Sequence, residues 1–317
     1  MKLSSATMIA SMIVAAACGK NRDKVDPPPP SAFDSTATVV LAAPLAKLIG
    51  SQGRRGAAVT NAGQAFWLDL KTPELPTLSD SITEGHAVLV GIDGDLAAVA
   101  LADGSLTSAG MTLTAPPHAT LRDLAVDAEG TTYGAAGGEG FWQWRRGAAK
   151  RIGIFESALA VATTTASVFA LDYYEGLIAL EKNAEGGAAE SRRLIADLSG
   201  FDRLAVASTT ALVTAIDGRV ALIDLKDASK AAVTRNLRVK GTVIAATLCG
   251  GFAFVMDRTL DGTVSLTRIG TTAALDLAMK RDGTAEAIAC GPGQYLYEAT
   301  RDGRLGVLHV TPLSATP

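Results

Sequence analysis

The chain has 317 residues, of which 48% are hydrophobic, 5% aromatic and 19% charged, a composition that excludes a disordered acidic or basic tail protein. Lys+Arg 29 against Asp+Glu 32 leaves a formal net charge of -3, which offers no field for a phosphate backbone, so nucleic acid is not an expected partner. Beyond the first seventeen residues there is no run of about eighteen uninterrupted apolar residues, so the remainder is not read as crossing a bilayer.

Residues 1–17 carry one early cation, Lys2, then a weakly polar to apolar stretch ending in Ala15, Ala16 and Ala17. That pattern is a secretory signal, not a structural helix. The next residue is Cys18, and small residues before a cysteine at this place resemble the processing site of bacterial lipoproteins. The resemblance implies a lipid on Cys18, which then becomes the mature first residue. The family's usual leucine three places before the cysteine is missing from Ala15-Ala-Ala-Cys18. Ala15 and Ala17 also form an A-x-A site, so an unlipidated periplasmic or secreted protein is the alternative. By similarity to lipoprotein sorting in enteric bacteria, Gly19 in place of Asp implies the outer membrane, facing the periplasm or the cell surface.

Residues 18–34 combine charges with four consecutive prolines, Pro27 to Pro30, and almost nothing to bury. They predict an extended tether rising about 3.1 Å per residue, which would hold the body off the lipid surface. A strand, TATVVLA from Thr36, opens the folded region 35–317.

From there the chain repeats. Its register is a turn between two β-like segments, at Asn61-Ala-Gly63, Asp103-Gly104, Gly138-Glu-Gly140, Glu175-Gly176, Asp217-Gly218, Asp261-Gly262 and Asp302-Gly303. The glycines lie 41, 36, 36, 42, 44 and 41 residues apart. Asp-Gly predicts a two-residue type I′ hairpin, which needs positive φ at both central positions. Before each turn comes a short segment of small apolar residues: LIGSQ from Leu48, VLVGID from Val88, LAVDAE from Leu124, LAVATT from Leu159, LAVAST from Leu204, IAATLC from Ile244 and AIACGP from Ala287. A second strand leads to the turn, a third leaves it, as in RVALIDL, and a more polar fourth closes the unit, as in AVTRNLRV.

Four strands in about forty residues, seven times, resembles a seven-bladed β-propeller, an all-β fold. The resemblance implies that the small-residue strands surround the axis. Phe66, Trp67, Phe141, Trp142, Phe169 and Phe252 are then expected on middle strands. The seventh unit stops after its third strand, so the amino-terminal strand is expected to supply the missing outer strand and close the last blade. WD40 signatures and the tryptophan-docking pattern of quinoprotein repeats are absent, and no narrower family is assigned.

The chain offers no constellation that specifies a reaction. His86, His118 and His309 fall in different units without metal-ligand spacing, and there is no HExxH, nucleophile elbow or Walker loop. The glycine-rich run from Gly134 falls in a hairpin and reads as turn chemistry. No catalytic residue, metal or cofactor is therefore expected. Cys249 and Cys290, 41 residues apart and alike in position in units six and seven, are candidates for a disulfide in an oxidising compartment, or otherwise two small buried thiols.

Sorting charges by propeller face places Asp103, Glu139, Glu175, Asp217, Asp261 and Asp302 on one rim, interrupted by Arg219 and Arg304. The opposite face receives Arg145, Arg146, Lys182, Lys226 and other cations. The rim is either the residue of hairpin geometry or a face for a basic protein segment or divalent cations. The resulting expectation is a monomeric, lipid-anchored envelope propeller, non-enzymatic, binding or scaffolding an envelope protein. The alternative is a metal-dependent, lactonase-like hydrolase or lyase using the central tunnel.

Overall fold

The structure, a computed structural model, describes residues 33–311 apart from 42, 51–52, 117–119, 154, 183–187, 228–229, 271–275 and 282, and the side chains of 34–36 and 188–191. The signal, Cys18, the tether before Phe33 and His118 lie outside the described residues.

Small-residue segments alternating with hairpin turns give seven antiparallel four-stranded sheets, numbered here as blades 1 to 7 in chain order. Their inner strands are Leu45–Ile49, Ala87–Asp93, Asp123–Val126, Ala158–Thr163, Arg203–Ala207, Thr242–Cys249 and Ala285–Cys290. Each inner strand meets the next, and that of blade 7 meets that of blade 1, so the ring closes around a central channel. Small side chains permit this convergence. A Cβ on Gly50, just past the first inner strand, would lie 1.5 Å from the Cys290 carbonyl oxygen of blade 7.

The apolar core is divided among the seven seams. Each seam between adjacent blades holds one cluster of buried side chains. The six heavy aromatic residues singled out from sequence all fall on second or third strands. Packing blade against blade in this way buries both faces of each middle strand, and so runs such as LAAVAL and FAFVMDR show no polar alternation.

The closing strand, Phe33–Val40, pairs antiparallel with Arg304–Val310 and becomes the outermost strand of blade 7. It begins three residues before the expected Thr36 and just inside the region read as tether. The reason is Phe33, which is buried, sits opposite Val310 and stacks on Phe254 of blade 6 at 6.2 Å. The first inner strand likewise starts earlier than expected, at Leu45. Among the described residues, no helix is long and apolar enough to cross a membrane.

All seven turns lie between second and third strands, and all seven turn glycines have φ between 75° and 94°. The turn type is not the one expected from sequence. The aspartates keep negative φ, and in most turns the glycine N–H donates to the carbonyl three residues earlier, as from Gly218 to Ala215 and from Gly104 to Leu101. These are longer loops with a single left-handed residue. Aspartate is favoured for a different reason: its carboxylate accepts the N–H two residues on, from Ser105, Arg219 and Thr263 in their respective turns. Tight turns with positive φ at both central residues occur instead on the opposite face, at Ala109-Gly110, Arg146-Gly147 and Gly250-Gly251.

Candidate functional site

The turn face carries the acidic residues expected there, but most of them are engaged within their own blades. Asp217 contacts the Arg219 guanidinium at 3.0 Å, and Asp302 contacts Arg304 at 3.1 Å. Glu175 pairs with Arg193, a partner not anticipated from sequence. Asp103 and Asp261 bond to Ser105 and to Thr259 and Thr263. These local bonds hold the carboxyls of Asp103, Asp217 and Asp261 below the usual range. The rim is thus a set of hairpins in which Glu175, Asp217 and Asp302 meet a cation of their own blade, while Asp103 and Asp261 are held by neutral hydroxyl and N–H groups.

A second feature of this face is apolar. Two residues before each turn glycine stand Asn61, Ala102, Gly138, Tyr174, Ile216, Leu260 and Arg301, in blade order. Blades 4, 5 and 6 therefore place a large hydrophobic residue at one equivalent turn position. Tyr174 is 65% exposed, Ile216 58% and Leu260 fully exposed, and the exposed Tyr173 ring meets Tyr174 edge to face at 5.0 Å. Blade closure does not require this exposure, since Ala102 and Gly138 occupy the same position in blades 2 and 3. Aligning the seven turns column by column makes the arc visible in the sequence, whereas sorting by charge alone passes over it.

The channel mouth on the same face is also patterned. The inner strands of blades 1, 2, 4, 6 and 7 are bulged near their starts, at Ala46, Val88, Leu159, Ile244 and Glu286. Blades 3 and 5 open instead on Asp123 and Arg203. Around the ring, charged Lys47, Asp123, Arg203 and Glu286 of the odd blades alternate with apolar Val88, Leu159 and Ile244 of the even ones. Three of the four charges reach the backbone of the following blade: Lys47 Nζ donates to the Val88 carbonyl at 2.9 Å, Arg203 Nη1 to the Ile244 carbonyl at 2.7 Å, and the Val161 N–H to Asp123 Oδ2 at 3.0 Å. Glu286 receives Arg258 at 3.2 Å and also Arg301. Asp123 and Arg203 directly precede their LAV segments in the sequence, which is the signal by which this ring could have been found.

Burial in the mouth pushes the Asp123 carboxyl up to about 6, against its two backbone N–H donors and Lys47, all of which pull it down. Lys47 is open to the channel, yet desolvation by the walls and the Arg203 charge lower its proton affinity, while Asp123 raises it. The folded state therefore holds the Asp123 proton more tightly than the unfolded chain, whose aspartates titrate near 3.8. The associated stability is full below that value and is lost as pH rises through about 6, an effect on the order of 3 kcal/mol. Asp123→Asn removes the titration, so the variant gains stability relative to the native protein between pH 4 and pH 7 in denaturant unfolding. Parallel pH curves would contradict this account of Asp123.

On the opposite face Asp127, just past the inner strand of blade 3, is 2% exposed and lies 2.9 Å from Nζ of Lys182 on blade 4, itself 10% exposed. Asp127 also accepts the N–H groups of Glu129 and Thr131, and the Tyr133 hydroxyl at 3.3 Å. Burial and then the Asp127 charge push the Tyr133 hydroxyl far up. Lys182, read from sequence as one of a set of surface cations, is the buried half of an inter-blade ion pair. The ring ends of blades 6 and 7 are joined by a Cys249–Cys290 disulfide, with Cα atoms 5.3 Å apart. Among the described residues, no three His, Cys, Asp or Glu side chains are grouped to hold a metal ion. His86 packs beside Gly63, and His309 lies 4.8 Å from the Tyr295 ring.

Seven antiparallel four-stranded sheets in a closed ring define a seven-bladed β-propeller. Solved structures agree: the WD40 β-propeller domain of Doa1 is similar over 87% of this chain and 95% of that one, with a TM-score of 0.58 and 12% identity. The computationally designed Ika8 protein is similar over 86% and 98%, with a TM-score of 0.56 and 12% identity. Identities this low show the fold alone. No protein-family model matches the chain, and no curated protein matches it.

Proposed function

We propose that the protein is a non-enzymatic binding module: a propeller tethered to the bacterial outer membrane through a lipid on Cys18, with its turn face toward an envelope protein. The observation that carries this reading is the exposed arc of Tyr174, Ile216 and Leu260. Large hydrophobic side chains are exposed at one equivalent turn position in three consecutive blades, and exposed apolar side chains gathered on one face are a feature associated with partner sites. The braced hairpins beneath them supply the rigidity that keeps the ordering cost of association low. The residues before Phe33 supply the other half of the reading, since a cysteine after small residues followed by a polyproline spacer suits a body held clear of a lipid surface.

The test is replacement of Tyr174, Ile216 and Leu260 by serine, singly and together. Because the three are solvent-exposed, unfolding stability is expected to change by no more than about 0.5 kcal/mol per site. Affinity for a partner purified by cross-linking to the native protein is expected to fall about 30-fold for Tyr174→Ser and further for the triple variant. Unchanged affinity of the triple variant would remove the arc from the binding face.

A further inference from the structure

Among the described residues, the buried charged side chains are Asp127, Asp172, Asp257, Glu298 and Arg268. Four of them are answered: Asp127 by Lys182, Glu298 by Arg281, and Asp172 and Asp257 by backbone N–H groups. Arg268 is not. It lies one residue before the end of the third strand of blade 6, Val264–Ile269, and is 2% exposed. Its Nε and Nη1 are shielded from solvent and donate to nothing, and no described carboxylate pairs with it. Asp276, two strands' width from any other cation of this seam, is already held by Arg235 and by the Gly270 N–H.

Strand alternation puts Arg268 on the same face as Val264 and Leu266, which line the seam between blades 6 and 7 that the Cys249–Cys290 disulfide also spans. Its cross-strand neighbours are Phe254 and Leu277, both packed in that seam, and its guanidinium carbon stands 4.9 Å over the Phe252 ring. The ring face answers part of the charge, but a quadrupole carries no net charge. An arginine is not discharged in a protein, so burial leaves the seam with a fixed positive charge. Burial lowers the proton affinity of Arg268, and no neighbouring carboxylate offsets it.

The walls limit what can balance that charge. Phe252, Phe254 and Leu277 offer no side-chain donor, so an oxyanion such as phosphate or sulfate would leave most of its oxygens unmet. A dianion would also replace one uncompensated charge by another. A monatomic monoanion balances a single guanidinium and needs only its N–H groups. We propose that Arg268 is a structural halide site, holding a chloride ion as its counter-charge in the seam between blades 6 and 7. This site is independent of the protein-binding reading of the apolar arc.

Bromide is the probe, because it substitutes for chloride and its anomalous scattering locates it in crystals. One bromide peak in contact with the Arg268 guanidinium is expected in crystals of the native protein. In urea unfolding at fixed ionic strength, with bromide exchanged against the bulky monoanion gluconate, the native unfolding equilibrium constant should fall about tenfold for each tenfold rise in bromide beyond half-saturation. Arg268→Met places an apolar side chain of similar length in an apolar seam, so it is expected to fold and to be at least as stable as the native protein in gluconate. It should lose the bromide peak and the part of the bromide dependence that belongs to one site, whereas general effects of the salt persist equally in both proteins. Arg268→Lys keeps the charge and should retain a weakened dependence. Tyr174→Ser should leave the bromide dependence unchanged, so failure of the arc and failure of this site are distinguishable. The crystallographic measurement uses the native chain alone and therefore decides the question even where a variant does not fold. A water molecule in place of bromide at Arg268, or the same bromide dependence in the native and Arg268→Met proteins, would each overturn the proposal.

Discussion

Replacing Cys249 and Cys290 together by serine lowers the free energy of unfolding by about 4 kcal/mol. The bond spans 41 residues of sequence and therefore removes substantial freedom from the unfolded chain. Its position adds a second consequence. It joins the last residues of the inner strands of blades 6 and 7, and blade 7 is the blade completed by the strand Phe33–Val40. Losing the bond frees the side of the ring where amino- and carboxyl-terminal segments meet, so hydrogen exchange should accelerate first in Phe33–Val40 and Arg304–Val310. Guanidinium unfolding with and without reductant measures the loss. Two free thiols in denatured, unreduced protein, or equal midpoints with and without reductant, would contradict the bond.

Lys182→Met is expected to cost about 3 to 5 kcal/mol, because it leaves the Asp127 carboxylate buried without its cation. The remaining partners are the backbone N–H groups of Glu129 and Thr131 and the Tyr133 hydroxyl. Adding Asp127→Asn removes the uncompensated charge and should restore part of the loss at pH 7. Urea unfolding of the single and double variants at pH 7 checks this, and a double variant no more stable than Lys182→Met would mean that Asp127 is not the group left stranded.

The propeller was legible because its signals are local. Each turn glycine marks a position where only a left-handed backbone closes the hairpin, and each small-residue strand reflects crowding at the axis, so the seven-fold register could be read directly from sequence. What was not legible depends on neighbours from other blades. Phe33 looks like tether until Phe254 lies beside it, and Lys182 looks like a surface cation until Asp127 arrives from blade 3. Asp123 and Arg203 read in sequence only as charges ahead of small-residue segments, and the ring of bulges that surrounds them at the channel mouth arises only on closure. The type I′ expectation failed because Asp-Gly serves two kinds of hairpin, and here the side-chain acceptor of Asp decides between them. Cys249 and Cys290 were recognised as a pair, but their approach to 5.3 Å depends on how tightly the inner strands converge, which no spacing in the sequence reports.

The central claim is that this protein acts through its turn face, at the arc over blades 4 to 6. Site-specific photo-cross-linking in intact cells tests it most directly, with the reactive group placed in turn at position 216 on the turn face and at position 146 in a tight turn on the opposite face. The account predicts one discrete adduct from position 216, competed away by excess native protein and lost when Tyr174 and Leu260 are serine, and none from position 146. Equal adducts from both positions, or an adduct at 216 indifferent to Tyr174 and Leu260, would contradict it.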